Sequence, residues 1–169
     1  MNVIANTTII SNFAETGRLD LLRDLLGALY LSTDVYAEIQ DGLAEGYDFY
    51  TDVESEIQAE SEASWLHLTA PQGAAELQLF ARLSARLHRG EASCLAIAAQ
   101  RGWAFLSDDA RARRIARDLN VTTSGTLGAL VQAVQRNLIT LEDANALLAQ
   151  MIRAGYHAPS DNLDGLISK

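Results

Sequence analysis

The chain has 169 residues, 49% of them hydrophobic, and a mean hydropathy of +0.02, the balance of one globular domain with a sizeable core. Its net charge of −9 and pI near 4.7 argue against a nucleic-acid coat protein of the basic kind, and its single cysteine, Cys94, rules out an intramolecular disulfide. No apolar run approaches the roughly 18–20 residues that span a bilayer, and no basic region precedes an apolar stretch at the N-terminus, so a cytoplasmic protein without membrane contact is expected.

In chain order, Val3–Ala5 is short and apolar, a first strand. Thr7 or Thr8 is placed to cap the following helix, and Leu19–Leu26 then repeats Leu at helical spacing until Gly27 stops it. Ala28–Leu31 reads as a second strand, after which Ser32-Thr33-Asp34 opens a helix through Val35, Ile39 and Leu43. Gly46–Ser64 is acidic and weakly patterned, with helical segments expected. Trp65–Thr69 alternates ahead of Pro71 and reads as a third strand, and Ala74–Leu87 is amphipathic. Gly90-Glu91 opens a helix of small residues closed by Gly102, and Trp103–Leu106 is a fourth strand ending at Ser107-Asp108-Asp109. A helix over Asp109–Leu119, a short strand Val121–Thr123 and a helix over Thr126–Arg136 follow. Thr140 caps a last helix carrying Leu141, Ala144, Leu147 and Leu148, and the tail holds a possible turn at Leu163–Ile167. Strands alternating with helices predict an α/β domain whose parallel sheet of four or five strands is covered by helices on both faces. We expect a single domain over residues 1–169, its core at about 2–137 and a helical extension at about 138–169.

Charge is unevenly distributed. Asp34, Glu38, Asp41, Glu45, Asp48, Asp52, Glu54, Glu56, Glu60 and Glu62 follow one another without a cation. Arg82, Arg86, Arg89, Arg101, Arg111, Arg113, Arg114 and Arg117 gather most of the 13 Lys and Arg. Two solvated helix faces of opposite sign would explain this; so would a guanidinium patch for phosphate, since the planar fork of Arg grips phosphate at two points.

In open parallel sheets ligands bind beyond the carboxyl ends of the strands. At those ends, or in the first turns of the helices after them, stand Asn6, Thr7 and Thr8, then Glu38 one turn beyond Asp34, Glu91, and Ser107, Asp108 and Asp109. Oxygen donors without His or Cys suit Mg²⁺ or Mn²⁺, which relieve repulsion between carboxylates and suit phosphodiester hydrolysis. Taken singly, Glu91 is also what a helix dipole favours in a first turn, Asp108-Asp109 is also an N-cap pair, and Glu38 is also a solvated face residue. Phosphate-loop, dinucleotide and nucleophile-elbow motifs are absent, and His67, His88 and His157 are isolated in spacing. Cys94, among alanines, reads as a core residue.

The series VIANTTII, STDVYAEI, HRGEASCLAIA, AFLSDDARARRIARDL and TTSGTLGALVQAV resembles PIN-domain nucleases, and within them a branch of PIN-like domains of unknown function related to VapC-type toxins. The likeness covers about residues 2–137, and Met151–Tyr156 is similar to the same branch. It implies a three-layer α/β/α sandwich and metal-dependent cleavage of single-stranded RNA. By position it assigns catalytic roles to Asn6, Glu38, Glu91 and Asp109, with Asn6, Glu91, Asp108 and Asp109 as Mg²⁺ or Mn²⁺ ligands. Thr7, Ser107 and Thr126 would support them, and Arg89, Arg111, Arg113 and Arg114 would contact RNA. A homodimer and a cognate antitoxin are further implications; Leu77, Leu79, Phe80, Leu83 and Leu87 serve a dimer face or the core equally well. The general PIN pattern has Asp where this chain has Asn6, although an Asn-Thr-Thr variant also fits the branch. The amide oxygen can bind a hard cation, but one negative charge is lost. Two functions are therefore expected as alternatives: a metal-dependent ribonuclease, which the resemblance links to the toxin half of a toxin–antitoxin pair, or a catalytically silent module binding RNA or protein.

Overall fold

The computed structural model describes residues 1–59 and 63–167; Glu60 and Glu62 of the acidic stretch lie outside the described residues. Five strands form one sheet: β1 (Val3–Ala5), β2 (Leu29–Ser32), β3 (Leu66–Thr69), β4 (Ala104–Leu106) and β5 (Thr123–Ser124). Their order is β3-β2-β1-β4-β5, and every pair is parallel, in register at Ile4↔Tyr30, Leu29↔Leu66, Ile4↔Phe105 and Phe105↔Thr123. Parallel neighbours need crossover connections, and helices supply them. The helices are α1 (Thr7–Glu15), α2 (Leu19–Leu26), α3 (Thr33–Ala44), α4 (Thr51–Gln58), α5 (Gly73–Ser84), α6 (Arg89–Arg101), α7 (Ala110–Asp118), α8 (Thr126–Gln135) and α9 (Leu141–Arg153). The α/β sandwich expected from the alternation is the fold observed. No helix among the described residues is long and apolar enough to cross a membrane.

The strands read as apolar runs because both faces are covered: Ile4, Ala5, Leu29, Leu31 and Phe105 are buried. Helix α6 packs across β1, β2 and β4. Its alanines, Ser93 and Cys94 are small, so its backbone approaches the sheet closely, and Ala92 through Ala98 is buried throughout. Gly102 ends it with a left-handed φ of 68° that any other residue would adopt at a cost. On the flank of α6, Arg101 clasps Glu76 of α5 at 2.7 and 2.9 Å and also donates to Thr69 Oγ1 and the Ala70 carbonyl. That ion pair was not apparent from the sequence, because its partners lie 25 residues apart.

Two local expectations change. Thr7 and Thr8 do not cap α1; Asn6 does, its side-chain oxygen accepting from the Ile9 backbone N–H at 3.4 Å. The edge strand β5 begins at Thr123 rather than Val121, where Val121 instead buries its side chain after the α7 turn. The acidic stretch forms a 3₁₀ turn, Asp48–Tyr50, and then α4, anchored by buried Tyr50 and Val53. In α5, Leu79 and Leu83 face the core, as does Leu87 beyond it, while Leu77 is exposed.

Candidate functional site

The sheet reverses its winding between β1 and β4, and chains leaving those strands diverge to opposite sides. Asn6 follows β1, Ser107-Asp108-Asp109 follows β4, and α6 delivers Glu91 from its first turn to the same crevice. The crevice is an open cleft of about 460 Å³ lined by Thr8, Asn12, Glu15, His88, Glu91, Asp108, Asp109 and the tail residues Ala154–His157.

At its floor Asn6 is 3% exposed. Because its oxygen accepts from Ile9, its amide nitrogen faces Ser107 Oγ at 3.0 Å and Glu91 Oε1 at 3.4 Å, donating to both. The opposite rotamer would set an oxygen against a carboxylate and an N–H against an N–H, so the network itself fixes the amide's orientation. Ser107 Oγ also accepts from the Asp109 backbone N–H at 3.1 Å, tying the two strand ends together.

Glu91 and Asp109 bring two negative charges to the strand ends, and Glu15 of α1 adds a third at the rim of the cleft. Burial first, and then the Asp109 charge, push the Glu91 carboxyl above its ordinary value; His88 and the Asn6 hydrogen bond offset this only in part. Asp109 caps α7, one oxygen accepting from Ala112 N–H at 2.7 Å, and its side chain is otherwise without a partner among the described residues.

Asp108, its neighbour, is wholly engaged. Its oxygens accept from Thr126 N–H at 2.7 Å, Thr126 Oγ1 at 2.6 Å, Asn12 Nδ2 at 3.2 Å and the Tyr156 hydroxyl at 3.2 Å. It knits α1, the start of α8 and the tail, and burial with its charge raises the Tyr156 hydroxyl well above the usual phenol value. Glu38 lies to one side, accepting from Thr7 Oγ1 and lying so close to Gly90 that a Cβ there would come within 2.7 Å of Glu38 Oε1. Thr7, Ser107 and Thr126 thus each hydrogen-bond an acidic residue or hold a loop that bears one. Of the expected ligands, the structure brings Asn6, Glu91 and Asp109 together and draws Asp108 toward α8; Glu38, expected as a catalytic residue, is held by Thr7.

No three His, Cys, Asp or Glu side chains among the described residues are placed to share one ion. Four carboxylates, Glu15, Glu91, Asp108 and Asp109, line the cleft beside His88 and His157. With Asp108 hydrogen-bonded to its neighbours, the facing pair at the strand ends is Glu91, raised by burial and then by the Asp109 charge, and Asp109. That chemistry fits a Mg²⁺-type ion, which is commonly held by one or two carboxylates, several waters and a substrate phosphate.

The arginines divide. Arg89 is paired with Asp34 at 2.6 Å and stacks over the Phe80 ring. The side chains of Arg111, Arg113, Arg114 and Arg117 on α7 have neither ion pair nor hydrogen bond among the described residues. His88 and His157, isolated in sequence, meet at the cleft because the tail returns to it. Thr8, Asn12 and Glu15 also line it, and their i, i+4, i+7 spacing on α1 was the available signal. Cys94 is fully buried, its thiol pushed up to about 12 by desolvation, which suits a core residue and not a nucleophile.

No curated protein matches this sequence. A PIN-domain family model matches residues 2–169, nearly the whole chain. With its parallel sheet and the acidic crevice at the β1–β4 switch point, the chain belongs to the PIN-domain family.

Proposed function

We propose that this protein is a metal-dependent nuclease that hydrolyses phosphodiester bonds in single-stranded RNA, with Mg²⁺ or Mn²⁺ as its cofactor. The observation that carries the reading is the pairing of Glu91 and Asp109 in one open cleft. There the Asp109 charge helps hold the Glu91 carboxyl above its ordinary value, and neither carboxylate has a Lys or Arg ion pair among the described residues. Glu91 and Asp109 would hold the ion, which when bound neutralises charge on the phosphate and activates water for attack. Asn6 serves as a positioning residue: its amide nitrogen fixes the Glu91 carboxylate and, through Ser107, the Asp109 loop. Glu38 and Thr7 buttress the first turn of α6 through Gly90. The cationic face of α7 offers the RNA backbone its counter-charge, which net acidity elsewhere on the surface would otherwise repel.

The test is incubation of the purified protein with single-stranded RNA and Mn²⁺. Wild type should cleave, while Glu91→Gln and Asp109→Asn should each lose at least about a hundredfold in rate. A second reading, a silent PIN module that binds RNA or protein, is favoured by one observation, the amide N–H that Asn6 turns toward Glu91 where a carboxylate would face an ion. Equal inertness of wild type and Asn6→Asp, with Mn²⁺ bound to both, would select it.

A further inference from the structure

A second cleft of about 460 Å³ opens on the outer edge of the sheet, between α7, β5 and α8, with Arg113, Arg117, Thr123, Ser124 and Gly125 on its polar side. Arg113 and Arg117 are one turn apart and share the α7 face that meets this cleft, whereas Arg111 and Arg114 line a different hollow. Among the described residues, two buried side-chain polar atoms lack any partner: Arg113 Nε and Thr123 Oγ1. Both belong to this one cleft. Buried polar groups are nearly always satisfied, so two orphans behind one cleft show that the protein supplies no partner there, and what a ligand would meet is the half-buried Arg113 and the exposed Arg117. Neither guanidinium has an ion pair or hydrogen bond among the described residues, Asp108 nearby being taken up by Thr126, Asn12 and Tyr156, and Ser124 adds a hydroxyl of the kind that accompanies phosphate recognition. Leu127 and Val131 give the cleft an apolar wall on which the flat face of a sugar or base can rest.

The second cleft adjoins the first through one residue. A Cβ on Gly125 would come within 2.6 Å of Oδ1 of Asp108, a residue lining the carboxylate cleft, and 3.0 Å of Nη1 of Arg113, a residue lining the second. Glycine keeps that ridge low. Its helix N-terminus is not the anion site, because Asp108 already accepts from Thr126 N–H.

We propose that the Arg113–Arg117 cleft is a phosphate subsite, taking a backbone phosphate of the single-stranded RNA next to the segment that lies at Glu91 and Asp109. This rests on the nuclease reading for the identity of the strand, while the phosphate chemistry stands on the cleft alone. The charge pattern favours phosphate over a carboxylate peptide: two guanidinium groups at helical spacing, Ser124 beside them, and no lysine.

The experiment is fluorescence anisotropy of a labelled short oligouridylate with the full chain in EDTA, so that no ion contributes. Arg113→Met and Arg117→Gln should each weaken binding several-fold and make the logarithmic salt dependence shallower by about 0.7. Inorganic phosphate and uridine monophosphate should compete, the nucleotide better if the apolar wall holds its base. Arg113→Met and Thr123→Val should melt no lower than wild type, since each removes an orphan; a structural role would lower both. Unchanged affinity and salt slope in Arg113→Met and Arg117→Gln would overturn the subsite, and so would equal competition by oligoglutamate. Should Arg113→Met fail to fold, exposed Arg117→Gln still decides. Arginine-dependent binding without Mn²⁺-dependent cleavage would sustain the subsite and sink the nuclease reading; cleavage with an unaltered KM in both variants would do the reverse.

Discussion

Asp108 and Asp109 are adjacent in the chain, identical in chemistry and opposite in circumstance. Asp108 accepts four hydrogen bonds from three elements, and its charge is fully answered. Asp109 answers one backbone N–H and leaves its remaining oxygen to the cleft, where it repels Glu91. One carboxylate builds the domain and the other leaves a charge for function to use. The same division separates Glu76, clasped by Arg101, from Glu91, which the Asn6 amide and His88 answer only in part.

The largest effect should come from the answered side. Asp108→Ala orphans the Asn12 amide, the Thr126 N–H and hydroxyl and the Tyr156 hydroxyl together, and should lower unfolding free energy by about 3 kcal/mol in a urea titration. Asp109→Asn, which keeps the cap, should stay within about 0.5 kcal/mol of wild type in the same titration. Equal losses at the two positions would break the comparison.

Next in size is Glu76→Gln, expected to cost about 2 kcal/mol at neutral pH by leaving Arg101 with a weaker partner. The Arg101 hydrogen bond holds the Glu76 carboxyl below its ordinary value, so its stabilisation is present above the normal glutamate range and fades as pH falls through the lowered value. Glu91 has the opposite sign. Its raised carboxyl favours the fold only while protonated, a contribution complete below the ordinary glutamate value and lost as pH rises through the raised one. Glu91→Gln should therefore melt higher than wild type at neutral pH and equal to it in acid, a smaller effect than that at Glu76. Thermal melts from about pH 3 to about pH 8, a window that brackets the ordinary carboxylate values of about 4, would show two crossing trends.

Asn6→Asp sharpens the contrast from the other side. It would replace an N–H donor to Glu91 with a third negative charge, lowering stability without metal and raising Mn²⁺ affinity by on the order of tenfold. Calorimetric titration measures the second effect.

Much of the fold was legible because parallel strands bury both faces and show as Val3–Ala5 or Ala104–Leu106 runs between helices with clear stops at Gly27 and Gly102. Spacing also led Asn6, Glu38, Glu91, Asp108 and Asp109 to one edge, without telling which of them share the cleft floor. What was hidden depends on contacts between distant segments. Nothing local separates Asp108 from Asp109; Tyr156, 48 residues on, does so by its hydrogen bond. Thr7 and Thr8 look like better caps than they are, because Asn6 precedes them and reaches Ile9 first. His88 and His157 are far apart in sequence and meet only because the chain past α9 folds back over the cleft.

The central claim is that Glu91 and Asp109, and not Asp108, hold the divalent ion. Mn²⁺ titration followed by electron paramagnetic resonance, on wild type, Glu91→Gln, Asp109→Asn and Asp108→Asn, tests it directly. The account predicts that the first two substitutions abolish saturable binding while Asp108→Asn, still folded, retains it. Binding that survives in Glu91→Gln and Asp109→Asn but vanishes in folded Asp108→Asn would contradict it.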